Sequence, residues 1–429
     1  MTLPIDAIAA ILSDPMLPAE FAALCDCGGR LAGTASERRA LELLRSLGQA
    51  ASGHSGTSVP VRYDGWRATK AELLLLPDGP PVPLACTPLL RSASTAGIEA
   101  EVLPLGRAMP EELAALGDAL RGRIALVHHE YMFGAAHIHR RRKYAAALAA
   151  GAVGFLIEGP LADAAVAGSS GRRTEPGIPA LGISREAAAR LAPATSNLAH
   201  ARIVLRTEEA PATTETLLFE ISGPAPGCIV LSAHLDGHDP AESAMDNATG
   251  VAAALAVMRA LAPYAGRFRR GLRLALFSAE EWALTGSRAY LDSLPDTERR
   301  QVALNINLDS VAGAGTLTAL CSDFPALGDF VRTVSAAAGL PVGVYLPLMA
   351  NSDHANFAAH GIPALRLVAG FDDPASNLRY VLTAADTRDK VSLSQLQTAT
   401  LTAASLVWAA LMAPAAALDE LRLERRPED

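Results

Sequence analysis

Residues able to do chemistry recur at one kind of place in this sequence. Where an apolar run ends, a histidine or a carboxylate follows. Ile229-Val230-Leu231 leads to His234, Gly271 to Phe277 leads to Glu280 and Glu281, and Ala303 to Leu308 leads to Asp309. A further carboxylate, Asp246, closes the loop that His234 opens. Imidazole combined with carboxylate is a donor set for zinc or a similar divalent ion. Without a cation, converging carboxylates would repel one another and resist burial. The Glu280-Glu281 pair offers a division of labour. Successive side chains at a strand end point apart, so one can hold a metal while the other faces the reacting water, as metal-assisted hydrolysis requires. Asp236, two residues beyond His234, is placed to orient a neighbouring imidazole. Taken alone, His-x-Asp suits a structural histidine beside a loop aspartate better than a metal ligand. The repeated placement is what carries the metal reading.

Elements that would position these groups are legible as well. Apolar runs at Leu217–Ile221, Cys228–Leu231, Gly271–Phe277, Ala303–Leu308 and Leu365–Val368 read as strands, with helical stretches between them. Strands alternating with helices imply a mainly parallel sheet flanked by helices, whose carboxyl ends gather along one edge. The last helix opens on Ser392-Leu393-Ser394-Gln395, a capping-box pattern. Near the N-terminus two helices are expected. The second should start at Thr34 with the capping box Thr34-Ala35-Ser36-Glu37 and stop at Gly48. The glycine-rich turn before it lacks the lysine of a phosphate-binding loop and follows no strand.

Between these parts the pattern changes to short β-like runs: Ala71–Leu76, Ala100–Leu103, Ile124–His128, Gly154–Ile157 and Ile203–Leu205. The expected organisation is therefore an α/β domain formed by residues 1–58 and 207–429, interrupted by a β-rich domain at 59–206. Thr207 to Thr214 reads as a linker. Inside the insertion, His128-His129-Glu130 and His137 to Lys143 crowd histidines among cations; a solvated rim suits them better than a closed metal site.

Composition excludes some classes. The net charge of −8 and an aromatic content of 5% argue against nucleic acid as a partner. With 50% apolar and 19% charged residues a large core is expected, and no uninterrupted apolar run is long enough to span a bilayer. No signal-peptide pattern is recognised, and the five cysteines suit a reducing compartment, so a cytoplasmic location is expected. Cys25 and Cys27 lack a matching pair and read as buried thiols.

In their joint order several motifs resemble the aminopeptidase-type co-catalytic zinc peptidases, a family that includes the glutaminyl cyclases. They are GRLAGT near the N-terminus, HLDGH at His234, MDNATG at Asp246, FSAEEWALTGS at Glu280, NLDSV at Asp309 and NSDHANFAAHGIPAL at His354. The insertion resembles the protease-associated domain through RGRIALV, AAGAVGFLI and PGIPALGIS. The resemblance implies a zinc exopeptidase-like fold and an aminopeptidase-like hydrolysis of peptide or small amide substrates. It implies that His234 and Asp309 bind one metal, that Asp246 bridges, that Glu281 binds a second and that Glu280 is the general base. The family's second metal takes a late histidine from a pattern like HTxxDT. Here the run is Leu382-Thr383-Ala384-Ala385-Asp386-Thr387, and Leu382 cannot ligate. Tyr380, Asp386, His354 and His238 are the candidate substitutes or substrate contacts. One tightly bound zinc is expected, with a second site that is weak or rebuilt and tilted toward manganese or magnesium if only carboxylates hold it. Two alternatives stand beside this reading: a hydrolase of non-peptide amides or N-acyl amino acids, and a non-catalytic binding protein on a peptidase fold. The sequence does not address oligomeric state.

Overall fold

A computed structural model of the chain describes residues 2–173, 175–192, 197–239 and 241–423. It divides into two compact units: Met1–Tyr63 with Ala212–Val381 and Asp386–Asp429, and Asp64–Pro211 with Leu382–Ala385.

The first unit is a mixed α/β layer structure. Its sheet runs in the order Val342–Tyr345, Leu317–Leu320, Ala364–Ala369, Val302–Leu308, Ala225–His234, Arg270–Phe277 and the end of His200–Ile221. The four strands from Ala364–Ala369 to Arg270–Phe277 are parallel. Leu317–Leu320 and Leu217–Ile221 run antiparallel at either side of them. Burial on both faces explains why the central strands read as largely apolar runs, broken by single polar residues such as Asn305, Asn307 and Arg366. The short strands Leu317–Leu320 and Val342–Tyr345 carry too few residues to stand out in sequence.

Register is what aligns the site. Phe277 pairs with His234, Asn307 with Ser232, and Leu308 with Leu367. The three central strands therefore end level, and the residues just past them meet at one edge.

Helix Thr249–Leu261 follows Asp246 and packs on the sheet and against Met16–Asp26, Ala35–Ser52 and Leu393–Met412. Covered on nearly every side, it is apolar apart from Thr249 and from Arg259, which pairs with Asp14 and Glu20. Together with its flanking turns it makes Ala244–Arg267, a stretch long and apolar enough by length and composition to cross a membrane, although Asp246 and Arg259 interrupt it, and 72% of its most apolar window is buried.

The N-terminal segment holds three helices, not two: Ile5–Leu12, Met16–Asp26 and Ala35–Ser52. Thr34 caps the third by accepting from the Glu37 amide, while the Glu37 carboxylate turns to the Gly33 amide. That helix runs through Gly48, because Gly48 lies against the Phe219 ring where a Cβ would come within 2.2 Å of it. Gly53, at φ 74°, ends the helix instead. The capping box at Ser392 and Gln395 is present at the start of Leu393–Met412.

The second unit is built on the parallel strands Thr95–Pro104, Ile124–His128, Gly154–Glu158 and Ala180–Ile183, with Cys86–Pro88 antiparallel at one edge and His200–Ile221 at the other. Its core joins Val102, Ile124, Leu126, Leu156, Leu181 and Ile203. Two expectations are corrected here. Thr207 to Thr214 lies inside the strand His200–Ile221, which pairs with Thr57–Leu75. This ribbon is polar and exposed, so ladder hydrogen bonds order it where burial gives no signal. The histidine-rich stretch is a solvated rim only in part, since His128, Arg141 and Arg142 are exposed but other members are not. Lys143 is fully buried, 2.7 Å from Glu130, and donates to the His128 carbonyl. Burial, and then the charges of Arg140 and Lys143, push His129 down to about 3.

A Cβ at position 250 would lie 2.3 Å from both the Leu308 carbonyl oxygen and the Asn247 side-chain oxygen. Gly250→Ala should therefore destabilise the protein by about 1–3 kcal/mol through overpacking. Denaturant unfolding checks this; an unchanged midpoint would show that the helix shifts at no cost.

Candidate metal centre

His234 ends its strand with 1% of its surface exposed. Its Nδ1 lies 2.9 Å from the Asp236 carbonyl oxygen. A carbonyl only accepts, so Nδ1 carries a hydrogen and Nε2 is the nitrogen that faces the carboxylates and could ligate an ion. Nε2 lies 3.1 Å from Asp246 Oδ1 and 3.4 Å from Asp309 Oδ1. These match the edge of about 3.3 Å that tetrahedral bonds of 2.0–2.1 Å imply. His234, Asp246 and Asp309 are the group, among the described residues, whose ligand atoms all lie within 4.8 Å of one another.

Electrostatics show how closely charges are packed. Burial opposes a charge on His234, but Glu280 and Asp309 raise it well above the ordinary histidine value. Burial raises Asp246. Asp309 is also buried, yet Arg366 and His234 hold it well below the carboxylate range. The Arg366 guanidinium sits 3.2 Å from Asp309 Oδ2, and both side chains are 3% exposed. Burial pushes Glu280 well above its usual value, with Glu281 and Asp353 adding to the effect against the pull of His234.

Local backbone geometry aims these groups. Ala279 and Ser310 adopt φ of 57° and 58°, turning the chain off the strand ends beside Glu280 and Asp309. Non-glycine residues in that region are strained and persist only where surrounding contacts enforce them. Asn247 is one such contact. Its side-chain oxygen accepts from the Gly250 and Ser310 amides and its nitrogen donates to the Leu308 carbonyl, tying the Asp246 loop to the Asp309 turn.

The other sequence candidates occupy distinct places. The Asp236 carboxylate lies 3.9 Å from His234 Nδ1 and accepts from the Glu280 and Glu281 amides at 3.1 and 3.2 Å, so that it positions both glutamates. Asp386 does the same for the bridge, accepting from the Met245 and Asp246 amides at 2.7 and 3.3 Å. Burial pushes Asp236 and Asp386 each up to about 7. His354 is fully buried, and burial followed by the Arg366 charge takes it down to about 3. Tyr380 accepts from Arg379, whose guanidinium lies 4.7 Å from its ring centre. His238 Nε2 lies 2.7 Å from Glu281 Oε2, the two side chains 5% and 11% exposed.

Three contributors escaped the sequence reading: Asn247, Asp353 and Arg30. Asp353, adjoining His354 in the NSDH motif, is fully buried and pushed up to about 6 by burial. Arg30, in GRLAGT, is also fully buried; it donates to the carbonyls of Leu235, Glu242 and Ser243 at 2.7–2.8 Å, besides those of Leu24 and Gly28. The motif was visible as a pattern, but an arginine satisfied by main-chain carbonyls far along the chain leaves no local signature.

An α/β sheet whose level strand ends gather a histidine and buried carboxylates defines an α/β fold with a candidate metal centre. Residues 217–407 match the Peptidase family M28 model and 77–191 match the PA domain model. The α/β region therefore belongs to Peptidase family M28 and the inserted region is a PA domain. The chain is 28% identical over 162 residues to leupeptin-inactivating enzyme 1 of Streptomyces exfoliatus, covering 38% of this chain and 37% of that protein. It is 29% identical over 177 residues to a probable lipoprotein aminopeptidase of Mycobacterium tuberculosis, covering 40% of this chain and 34% of that one. The alignments thus span little more than a third of these relatives' lengths. In fold the chain is similar to a peptidase M28 precursor from Shewanella amazonensis, with a TM-score of 0.80 at 22% identity, covering 98% of this chain and 97% of that one.

Arg30→Leu should leave the Leu235, Glu242 and Ser243 carbonyls buried without donors, at about 1–3 kcal/mol each. Hydrogen exchange should quicken in Leu235–Asp239 while the central strands stay protected. Unchanged exchange there would show that other contacts hold the loop.

Proposed function

We propose that the protein is a metal-dependent hydrolase of peptide or amide bonds, aminopeptidase-like in action, with one zinc held by His234, Asp246 and Asp309. The observation that carries this reading is that carboxylate oxygens of Asp246 and Asp309 lie 3.1 and 3.4 Å from Nε2 of a histidine whose Nδ1 is engaged by a carbonyl. The relatives described as aminopeptidases support it. When bound, the ion supplies Lewis-acid chemistry, polarising the scissile carbonyl and lowering the pKa of water toward neutrality.

This chain's residues do the rest. Glu280 is the general base: its raised proton affinity suits it to take a proton from the attacking water and to deliver it to the leaving amine. Asp236 holds Glu280 in place through the main-chain amide. Arg366 withdraws charge from Asp309 and fixes its outer oxygen, leaving Oδ1 toward His234.

The test is turnover of aminoacyl-anilides, with N-acyl amino acids as the comparison substrates. Wild-type protein should cleave the former, and chelator treatment should abolish that activity. Glu280→Gln should lose about 10²- to 10⁴-fold in kcat while keeping its bound metal and fold. Full activity after metal removal, or a near wild-type rate for the Gln variant, would overturn the reading.

A further inference from the structure

The cation-rich motif from His137 to Lys143 takes no part in the His234 group. It opens helix Arg140–Ala149 of the second unit. His139 caps that helix, its Nδ1 accepting from the Arg141 amide at 3.1 Å. The first turn then carries Arg140, Arg141, Arg142 and Lys143 and no acidic residue. Cations are disfavoured there, because the helix dipole already leaves that end positive. Lys143 meets Glu130 at 2.7 Å, but the same carboxylate also takes Arg107 at 3.1 Å. After burial, the groups that hold His139 well below the ordinary histidine value are Arg140, Arg141, His137 and His129, none of them acidic.

The loop from Gly168 to Gly177 brings more arginines to the same place. Arg140 is 7% exposed and donates to the Ser169 carbonyl at 2.5 Å. Its guanidinium lies so close over Gly168 that a Cβ there would come within 2.2 Å of Nη2. Gly171, at φ 91°, packs on the helix start, where a Cβ would lie 2.4 Å from that of Arg141. Arg172 and Arg173 follow in the loop, and Arg91 donates to the Arg173 carbonyl at 3.1 Å. Arg91, Arg140, Arg141, Arg172 and Arg173 thus surround one loop, with Arg142 next along the helix. Against them stand Glu209, paired with Arg172, Asp64, 3.8 Å from Arg91, and Glu175, which accepts from the Arg173 amide. Cations are in excess at this loop, in a chain whose net charge is −8. Arg141, Arg142 and Arg173 are exposed.

We propose that this loop and helix start form a docking surface for a carboxylate-rich peptide stretch, the acidic part of a substrate of the hydrolase proposed above. The identity of the occupant rests on that reading. Buried Arg140 is the frame that pins the loop to the helix, and the exposed Arg141, Arg142 and Arg173 make the contacts. Guanidinium forks match carboxylates in geometry as well as charge. A local excess of cations raises the concentration of an acidic peptide beside it. An acidic chain with 5% aromatic residues does not suit nucleic acid, which needs a broad basic field or stacking platforms.

The experiment is calorimetric titration of the full-length protein with an N-acetylated oligoglutamate peptide, with the oligoglutamine peptide as control. The glutamate peptide should bind, more weakly as salt is added, and the glutamine peptide should not. Arg141→Glu combined with Arg173→Glu should weaken binding by at least about 5-fold, since an exposed ion pair is worth about 1.5- to 5-fold and the reversal removes two pairs and adds two repulsions. The thermal midpoint should not fall, because Arg141→Glu places an acid in the first helical turn. Arg141→Gln with Arg173→Gln stands in if the reversed variant is unstable. For leucyl substrates the reversed variant should raise KM when glutamates follow and leave it unchanged when glutamines follow, with kcat unaltered in both. No binding of the glutamate peptide by wild-type, binding unchanged in both double variants, or tighter binding of single-stranded DNA than of the peptide would overturn the inference while leaving the metal reading intact. Peptide binding that the variants lose, together with no turnover of any aminoacyl substrate by wild-type, would support the surface and overturn the hydrolase reading.

Discussion

Burial of several carboxylates at the edge of one sheet is the constraint on which the rest of this structure depends. Asp236, Asp246, Glu280, Asp309, Asp353 and Asp386 are all buried within the α/β unit. Each alone would be costly to desolvate, and together they repel. The unit contains this cost in two ways. Asp236 and Asp386 spend their oxygens on main-chain amides, becoming struts for the glutamates and for Asp246. Asp309 takes the charge of Arg366. What remains concentrated around His234 is the charge that the proposed cation would balance.

Such an arrangement needs rigid supports, and these come from unremarkable residue types. Asn247 joins two turns by three hydrogen bonds, and Gly250 lets the helix behind it touch the Leu308 carbonyl. Arg30 is spent on five main-chain carbonyls. A buried arginine without a carboxylate partner is unusual; here carbonyl dipoles from separate segments take the place of one. The loops of the site are thus tied by side-chain hydrogen bonds from separate segments, which suits a centre whose ligand distances must be kept within a few tenths of an ångström.

Much of the fold and of the candidate site was legible because it lies in local patterns. Parallel strands buried on both faces are apolar runs whichever way they pair, and the capping boxes are short-range signals. Where the reading failed, order came from long-range partners. Gly48 does not end its helix, because Phe219 occupies the space that a side chain would fill. Thr207 to Thr214 is strand, because a second polar strand pairs with it. Lys143 is buried, because Glu130 meets it inside the unit.

The sequence by itself determined the donor types, their placement just past apolar runs, and the loss of a ligating side chain at position 382. These are properties of residue identity and spacing along the chain. Only the tertiary structure decided which donors converge. The register of Phe277 with His234 brings separate strand ends level. The turns at Ala279 and Ser310 aim the carboxylates, and Asp236 and Asp386 prove to be supports rather than ligands. His238 faces Glu281 for the same reason: its loop is closed by Arg30 and Ser243, and neither contact can be read from neighbours in sequence.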